Sequence, residues 1–358
     1  MSKKPIILGI ESSCDETAAS IITENDQSIP IILSNVISSQ VNVHKKFGGV
    51  VPELAARSHI EKIDWITEKA IKESNIKLED IDAIASTAGP GLIVCLTVGL
   101  SFGKTLALSL NKPFIAVNHL EGHALSPKLN SKLEYPYLLL LISGGHSQYL
   151  SVEGLGKYKR LGTTIDDALG EAFDKTAKIL GVEFPGGPQI EILASKGNSN
   201  RYELPKPILH RGGCNLSFAG LKTAILRISK SIKTEQDKYD LAASFQKTIE
   251  KILLKKTKIA FEEFQKRNSK NKTNNFVIAG GVAANKKIRD MLINLCKEED
   301  FNSVFPKKEL CGDNAAMIAM VGLEKFKQKK FDQLDHPAIP RWSLDENAVF
   351  LKGAGVKL

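Results

Sequence analysis

The chain has 358 residues, of which 42% are hydrophobic and 25% are charged, and these values are typical of a folded globular protein. One hydrophobic core rarely grows to this length, so we expect two domains. We expect neither a secretory signal nor a membrane protein, because Glu11, Asp15 and Glu16 interrupt the N-terminal apolar run and no stretch approaches the ~20 apolar residues of a span.

Lysine and arginine exceed aspartate and glutamate by 49 to 40, which gives a net charge of +9. Much of the excess lies in residues 222–272, including KKTK at 255–258 and KRNSKNK at 266–272. A solvated helix face and a polyanionic partner such as RNA both explain this excess, and charge alone does not separate them. The five cysteines are scattered without a CxxC pair, which indicates reduced thiols in a cytoplasmic protein.

Short apolar runs alternate with helical patterns along the chain. Two of these runs contain a pair of apolar stretches joined by a turn of small residues, and they predict antiparallel hairpins at 6–22 and 137–152. Apolar residues at three- and four-residue spacing predict helices over 53–74, 166–181, 240–265 and 313–327. IDAIASTAGPG (81–91) and PFIAVNH (113–119) each predict a strand that runs into a loop or a helix. The alternation predicts an α/β fold, and the repeated hairpin hints at duplicated domains.

We place the main domain division near residue 118. Residues 1–118, completed by the C-terminal segment 321–358, would form the first domain, and residues 119–320 would form the second. The last helix and the tail are then expected to fold back onto the N-terminal half.

NHLEGHALS, residues 118–126, places His119 and His123 four residues apart. On a helix the two lie about 40° apart, so both rings can reach one ion, although a helix with two incidental histidines explains the pair equally well. Glu121 lies about 180° from the midpoint of the pair, which excludes the glutamate base of an HExxH peptidase helix. Asp313, in CGDNAAM at a predicted helix start, is the candidate third ligand, although a helix cap is its simpler role. Two histidines and one carboxylate suit iron or zinc with open coordination positions.

Three turns contain paired glycines, at Gly144–Gly145, in FPGGP (184–188) and at Gly280–Gly281. Bare backbone N–H groups can approach an anion closely. Asn285 follows the third pair near a predicted helix start, which suits a phosphate or a nucleoside. The FPGGP turn is explained as well by a rigid loop. Together the three turns favour a nucleotide site.

Taken in order, the chain's segments resemble the tRNA N6-adenosine threonylcarbamoyltransferase family, formerly described as glycoproteases. The resemblance covers nearly the whole chain and is carried by GIESSCDET, GGVVPELAARSH, AGPGL, NHLEGH, LISGGHSQ, DDALGEAFDKTAK, FPGGP, GGVAAN, GDNAAM and the RW at 341–342. It implies two ribonuclease-H-like domains of the actin, Hsp70 and sugar-kinase superfamily around a nucleotide cleft. It also implies transfer of a threonylcarbamoyl group from its adenylate to the N6 amine of the adenosine 3′ of the anticodon, in tRNAs that read codons beginning with A, with release of AMP.

The resemblance also assigns residues. It implies metal ligands at His119, His123 and Asp313, with Fe(II) favoured and zinc as the alternative. It implies contacts to threonylcarbamoyl-adenylate, or to ATP, at Leu141, Ile142, Ser143, Gly144, Gly145, Asp174, Gly187 and Asn285. On the residues alone, Asp15 and Glu16 in the first hairpin turn are candidate proton acceptors or polarity setters, or simply exposed turn residues. His146 is a further candidate ligand contact or a core histidine. Ser147, Asn215 and Ala219 depart from the residues usual in the family, and a polar role for the last two is therefore in doubt.

The family resemblance implies tRNA, a paralogous dimerisation partner, a small ATPase and an upstream synthase of the adenylate as partners, and no membrane. Two other functions remain as alternatives on the residues alone. An ATP-dependent small-molecule kinase of the same fold would leave the histidine pair unexplained. A non-enzymatic scaffold would be expected to have lost ligands, yet all three are present.

Overall fold

The computed structural model describes residues 4–269 and 273–349. Within them the strands are β1 (Ile7–Glu11), β2 (Glu16–Glu24), β3 (Pro30–Ser39), β4 (Ala83–Gly89), β5 (Phe114–Asn118), β6 (Tyr137–Ile142), β7 (Ser147–Gly154), β8 (Lys157–Thr163), β9 (Asn275–Ala279) and β10 (Asn302–Val304). The α-helices are α1 (Val41–His44), α2 (Pro52–Ser74), α3 (Ile93–Leu110), α4 (His119–Leu125), α5 (Leu169–Leu180), α6 (Gly186–Ala194), α7 (Ala219–Ser229), α8 (Glu235–Arg267), α9 (Lys286–Glu298) and α10 (Ala315–Lys327).

The first of two compact units comprises the described residues up to 133 together with 306–346. Its sheet has the order β3-β2-β1-β4-β5, in which β1 to β3 form an antiparallel meander and β4 and β5 are added in parallel. Every residue of β1, β4 and β5 is buried, as expected for strands covered on both faces. The helices α2, α3 and α10 pack on this sheet.

The second unit comprises residues 134–305 and the described residues 347–349. Its sheet has the order β10-β9-β6-β7-β8, again an antiparallel meander of three strands followed by two parallel strands. The helix α8 is fixed at its start by a capping box in which Thr234 and Asp237 satisfy each other's backbone N–H groups. Both predicted hairpins and the duplicated α/β plan are therefore confirmed.

The unit boundaries differ from the predicted division at residues 118 and 320. The helix α4 follows β5 without a break and packs on α10, so His119, His123 and Asp313 all belong to the first unit rather than to the second. The described residues 347–349 group with the second unit rather than with the first. The segment 350–358 of the predicted first domain lies outside the described residues.

The predicted helices all form, with small shifts at their ends. The helix expected over 166–181 begins only at Leu169, because the Asp166 carboxylate is turned away to accept the backbone N–H groups of Phe218 (2.7 Å) and Ala219 (3.2 Å) at the start of α7. Its other end is the residue Gly181, which adopts the left-handed conformation that glycine favours.

The helix α3 corrects the expectation that no stretch approaches a membrane span. Its 18 residues have a mean hydropathy of 1.7, which satisfies the length and composition of a short span. A third of this window is buried, and α3 packs on β4 and α2 in the first unit. A core helix of a folded domain can have the same length and hydropathy, so these values are only weak evidence that α3 crosses a membrane.

Candidate functional site

The two histidines of NHLEGHALS lie on the short helix α4. The Asn118 side chain accepts hydrogen bonds from the backbone N–H groups of Leu120 (2.9 Å) and Glu121 (3.4 Å) and so caps this helix. The cap fixes the helix start at His119, and His123 follows about one turn later. Their ring centroids are 4.8 Å apart. Both rings therefore lie on the same side of α4.

The carboxylate of Asp313 reaches this pair from the segment before α10. The N-cap of α10 is Asn314, whose side chain accepts the Met317 N–H at 3.0 Å, so Asp313 does not have the alternative role of a helix cap. Asp313 Oδ1 lies 3.0 Å from His123 Nε2 and 3.5 Å from His119 Nε2. One ligand atom from each residue lies within 4.8 Å of the others. The structure thus brings the three predicted ligands together.

These separations fit a first-row divalent cation. With bonds of about 2.0–2.1 Å from metal to ligand, neighbouring ligand atoms lie about 3.0 Å apart in an octahedral site and about 3.4 Å apart in a tetrahedral site. The distances of 3.0 and 3.5 Å from Asp313 Oδ1 to the two histidine nitrogens agree with such an arrangement. Two imidazoles and one carboxylate also leave coordination positions free for a substrate. These residues can therefore hold a metal ion.

A second buried carboxylate orients one of the histidines. Glu11 Oε2 lies 3.0 Å from His119 Nδ1 and also accepts a hydrogen bond from the Thr87 hydroxyl at 2.6 Å. The Ser13 hydroxyl lies 3.2 Å from the same Nδ1. A partner on Nδ1 leaves Nε2 of His119 directed at Asp313 and available to a metal. Glu11 is a positioning residue that the sequence alone did not single out.

The charges around His119 favour a cation. Burial opposes protonation of His119, but the Asp313 and Glu11 carboxylates outweigh it and raise the pKa of His119 to about 9. Burial alone would raise the pKa of Glu11, whereas the adjacent His119 lowers it below the usual value. A site that holds an imidazole protonated above neutral pH has excess negative charge, and a bound cation compensates it.

Glu121, the acidic residue inside the histidine motif, takes no part in this cluster. It is buried, and its Oε2 lies 3.7 Å from Lys325 Nζ on α10. This contact agrees with the expected orientation away from the histidines. The arrangement is not that of a peptidase helix, in which the glutamate would face the metal.

Asp15 and Glu16 lie where the first hairpin turn enters β2. Burial raises the pKa of Asp15, and burial together with the charges of Asp313 and Asp15 raises the pKa of Glu16 well above its usual range. Both carboxyls are thus close enough to Asp313 for their charges to interact. They are partly exposed, which is compatible with contact to a substrate.

A buried polar network supports this turn. His59 Nε2 lies 3.0 Å from the Cys14 carbonyl oxygen, and its Nδ1 lies 2.7 Å from the Thr17 hydroxyl. The backbone N–H of Gln40 donates to the Asp15 carbonyl oxygen at 3.0 Å. The segment GGVVPELAARSH ends in His59, which therefore supports the turn that contains Asp15 and Glu16. Sequence reasoning did not assign it that role.

In the second unit, the predicted glycine turn joins β6 to β7. It is closed by a hydrogen bond from the Ser143 N–H to the His146 carbonyl oxygen at 2.8 Å. Gly144 and Gly145 are exposed, and open space lies where their side chains would be. Within the described residues their N–H groups donate no hydrogen bond, so these groups can receive an anion.

Leu141 and Ile142 precede this turn and are fully buried in β6. Their side chains belong to the core of the second unit, so any substrate contact would have to use their backbone. The Gly144–Gly145 turn is also held by Gly170, whose N–H donates to the Ser143 carbonyl oxygen at 3.1 Å. A side chain at Gly170 would lie 2.8 Å from Gly144 Cα. Gly170 is therefore a supporting residue that sequence reasoning missed.

Asp174 and the FPGGP turn are joined directly. Asp174 Oδ1 accepts the Gly186 N–H at 2.7 Å, which fixes the first turn of α6 against α5. Gly187 follows with open space above it. The paired glycines thus begin a helix rather than form the simple loop that was the alternative explanation.

Asn285 has a more restricted role than expected. Its Oδ1 caps α9 by accepting the Ile288 N–H at 3.0 Å. Its amide also pairs reciprocally with the amide of Gln246, at 3.2 Å in each direction. The second side-chain N–H of Asn285 has no acceptor among the described residues, so it is left for a ligand. Gln246, on α8, is a positioning residue without a signal in the local sequence.

Comparison with known proteins decides the family. A model of the tRNA N6-adenosine threonylcarbamoyltransferase family matches residues 31–320. The chain belongs to this family. A threonylcarbamoyltransferase from Pelagibacter ubique is 78% identical over all 358 residues and over its own full length. A second, from Rickettsia massiliae, is 53% identical over 95% of this chain and 98% of its own.

Membership in the threonylcarbamoyltransferase family makes the protein a transferase that acts on tRNA, and it replaces the kinase and scaffold alternatives. Among solved structures, full-length HypF in a phosphate- and nucleotide-bound form matches 93% of this chain with a TM-score of 0.56 and 14% identity. This chain corresponds to 48% of that HypF chain. The likeness shows the fold, and it agrees with the two α/β units of the same plan.

Loss of the Glu11 charge is expected to weaken metal binding in this threonylcarbamoyltransferase. Glu11→Gln keeps the shape but weakens the acceptor for His119 Nδ1, so metal affinity should fall about 10–100-fold. Competition with a chromophoric chelator measures this affinity without any need for activity. Glu121→Gln is the matched control, because it removes a buried carboxylate on α4 that faces Lys325. Equal affinities for the wild type and Glu11→Gln would contradict the orienting role.

Proposed function

We propose that the protein transfers the threonylcarbamoyl group of threonylcarbamoyl-adenylate to the N6 amine of the adenosine 3′ of the anticodon, in tRNAs reading codons that begin with A. AMP is the second product. The observation that carries the proposal is the convergence of His119, His123 and Asp313 in a chain of the threonylcarbamoyltransferase family. A non-catalytic member would have no need of three buried or half-buried ligands directed at one point.

His119, His123 and Asp313 would hold one divalent metal, for which we favour Fe(II), with zinc as the alternative. Both metals accept two imidazoles and one carboxylate. When bound there, the metal supplies Lewis-acid polarisation of an oxygen of the acyl-adenylate. Glu11 keeps the His119 ring in the orientation that this binding requires.

The residues of the second unit supply the nucleotide contacts in this proposal. The Gly144 and Gly145 N–H groups bind the adenylate phosphate, since they are exposed and donate no hydrogen bond within the described residues. Asp174 and the remaining N–H of Asn285 bind the adenosine part. Gly187 lets the ligand approach the backbone closely.

The transfer forms one bond and breaks one. The N6 nitrogen of the tRNA adenosine bonds to the threonylcarbamoyl carbonyl carbon, and the bond from that carbon to the phosphate oxygen breaks. AMP leaves with the electron pair of that bond, and N6 loses one proton. Asp15 and Glu16 are the proposed proton acceptors, because burial raises the pKa of both carboxyls and makes each a stronger base.

Mass spectrometry of tRNA nucleosides tests the proposal. The full chain, its partners, threonylcarbamoyl-adenylate and tRNA should yield threonylcarbamoylated adenosine and AMP in equal amounts. A tRNA with guanosine in place of that single adenosine is the matched control and should remain unmodified. Absence of the modified nucleoside, or modification of the control tRNA, would overturn the assignment.

An exposed apolar groove supports the proposed paralogous dimerisation partner. It lies between α2 and α3, has a volume of about 560 Å³, and its lining includes Ile60, Ile63, Val94, Val98 and Phe102. Ile60 is 64% exposed. Contiguous apolar surface on a folded unit is typical of a protein interface. A partner that covers this groove would also bury much of the apolar surface of α3.

A charge placed in the groove is expected to break that complex. Ile60→Asp should weaken association with the paralogous partner at least about 100-fold, because a buried carboxylate without a counter-charge is costly at an interface. Analytical ultracentrifugation of the mixed proteins measures this. Ile192→Asp, at a position that is 52% exposed on α6 of the second unit, is the matched control. Unchanged association of the Ile60 variant would locate the interface elsewhere.

We also propose the small ATPase of the family and an upstream synthase as functional partners. The reaction consumes one acyl-adenylate in each turnover, so an ATP-dependent enzyme must supply it. We place these steps in the cytoplasm, which the five free cysteines support.

A further inference from the structure

Residues 204–234 of the second unit form a stretch without acidic residues. The chain has 40 Asp and Glu among 358 residues, yet none lies in this stretch. Its cationic side chains are Lys206, Arg211, Lys222, Arg227, Lys230 and Lys233. The stretch comprises the loop that precedes α7, the helix α7 and the residues that follow it.

The exposed face of α7 carries three of these charges. Lys222, Arg227 and Lys230 are exposed, and at about 100° per residue they fall within about 140° of arc. Leu221 and Ile225, on the opposite side, are buried. Lys222 and Lys230 are about 12 Å apart along the helix axis. The three side chains therefore form a basic stripe, which we call the α7 stripe.

No acidic group among the described residues neutralises the α7 stripe. Elsewhere in the second unit, lysines form close ion pairs, such as Lys258 with Glu299 at 2.8 Å. In the lysine cluster of α8 (residues 255–258), Lys258 forms this ion pair and Lys256 is buried. Within residues 4–269 and 273–349, the lysines and arginine of the α7 stripe have no such partners. A row of like charges on one face creates a positive surface potential that attracts a polyanion.

The loop before α7 is held rigidly beside the stripe. The buried Lys256 amine donates to the carbonyl oxygens of Arg211 (2.7 Å) and Gly213 (3.1 Å). Pro207 packs on the first turn of α7, where a side chain at Gly220 would lie 3.3 Å from Pro207 Cγ. These contacts fix Lys206 and Arg211 near the helix, so their charges add to those of the stripe.

We propose that the α7 stripe and the Lys206–Arg211 loop bind the phosphate backbone of the tRNA substrate. The inference rests on the tRNA-modifying function and adds the surface that anchors the RNA. Several cations along one face match the repeated charge of a polynucleotide better than a single small anion. In addition, α7 packs on α5, the helix that carries Asp174, so this anchor lies one helix away from a proposed adenosine contact.

Salt-dependent tRNA binding by the full chain tests the proposal. The triple variant Lys222→Gln, Arg227→Gln, Lys230→Gln should bind fluorescently labelled tRNA at least about tenfold more weakly at about 100 mM salt. The slope of log affinity against log salt should become shallower by about 2–3, because each lost phosphate contact contributes about 0.7–0.9. The thermal unfolding midpoint and the affinity for AMP should not change, since the three side chains are exposed.

The matched control is the triple variant Lys69→Gln, Lys72→Gln, Lys330→Gln, which removes three exposed charges from the first unit. It should retain the salt slope of the wild type. Equal losses in both variants would show a mere effect of net charge and overturn the proposal, as would a stripe variant with unchanged affinity and slope. Loss of association with a protein partner, with tRNA binding intact, would also overturn it and assign the stripe to an acidic protein.

The same experiment separates this inference from the proposed reaction. Wild-type protein that binds tRNA through the stripe but forms no modified adenosine would refute the reaction and leave the anchor standing. Full modification of tRNA by the stripe variant, with an unchanged KM for tRNA, would refute the anchor and leave the reaction standing.

Discussion

His119→Ala is expected to lower the rate of threonylcarbamoyl transfer at least about 1,000-fold, which corresponds to about 4 kcal/mol of transition-state stabilisation. The substitution removes one of three ligands and leaves Asp313 and His123 with an incomplete metal site. Metal content by elemental mass spectrometry should fall with activity. The fold should persist, because the buried Glu11 carboxylate keeps its hydrogen bonds from the Thr87 hydroxyl and the Ser13 N–H.

His336→Ala provides the matched control for His119→Ala. His336 is also in the first unit, but its Nδ1 lies 2.9 Å from the Pro337 carbonyl oxygen and away from the ligand cluster. It should retain metal and activity. If the His119→Ala variant contained no metal and still transferred at the wild-type rate, the Lewis-acid role would be refuted. If the variant kept its full metal content, the assignment of His119 as a ligand would be refuted.

Gly280→Ala is expected to destabilise the second unit by about 2–6 kcal/mol. Gly280 follows β9 with φ of +92°, and an added Cβ would lie 2.4 Å from the Ile142 carbonyl oxygen. Backbone strain of about 1–3 kcal/mol and overpacking of about 1–3 kcal/mol both contribute. The rigid backbone of β6 cannot give way as a flexible side chain would.

The adjacent Gly281→Ala is the matched control, since open space surrounds that position. It should cost less than about 1 kcal/mol. Hydrogen exchange of the β6 and β9 amides reports on the second unit alone, which avoids the assumption that a two-unit chain unfolds in one step. Equal protection in the two variants would contradict the close approach of Gly280 to β6.

Local sequence patterns predicted the secondary structure well. The continuous apolar runs of β1 and β6 and the helical spacing in α2 and α8 are signals contained within a few turns of chain. The division of the two units lies at residues 133 and 134 rather than near residue 118, and it depends on contacts that no local pattern reveals. The packing of α4 on α10 joins segments that are far apart in sequence, and no linker between β5 and α4 marks where a domain ends.

The site shows the same limit. The spacing of His119 and His123 on one helix indicated a possible pair of metal ligands. For Asp313 a helix cap was the simpler explanation, and only the family resemblance favoured it as a ligand. Glu11 was missed as a positioning residue because 108 residues separate it from His119. Gln246 was missed because nothing near it in sequence indicates that its amide pairs with Asn285.

The raised pKa of His119 has a consequence for the ligand cluster when no metal is bound. With a pKa of about 9, the ring carries a proton at neutral pH and sits as a positive charge between Glu11 and Asp313. When the metal leaves, the protonated His119 ring replaces its positive charge. The Glu11 and Asp313 carboxylates are then not left to repel each other. Loading with metal must in turn expel that proton, so alkaline conditions favour uptake and acid favours release.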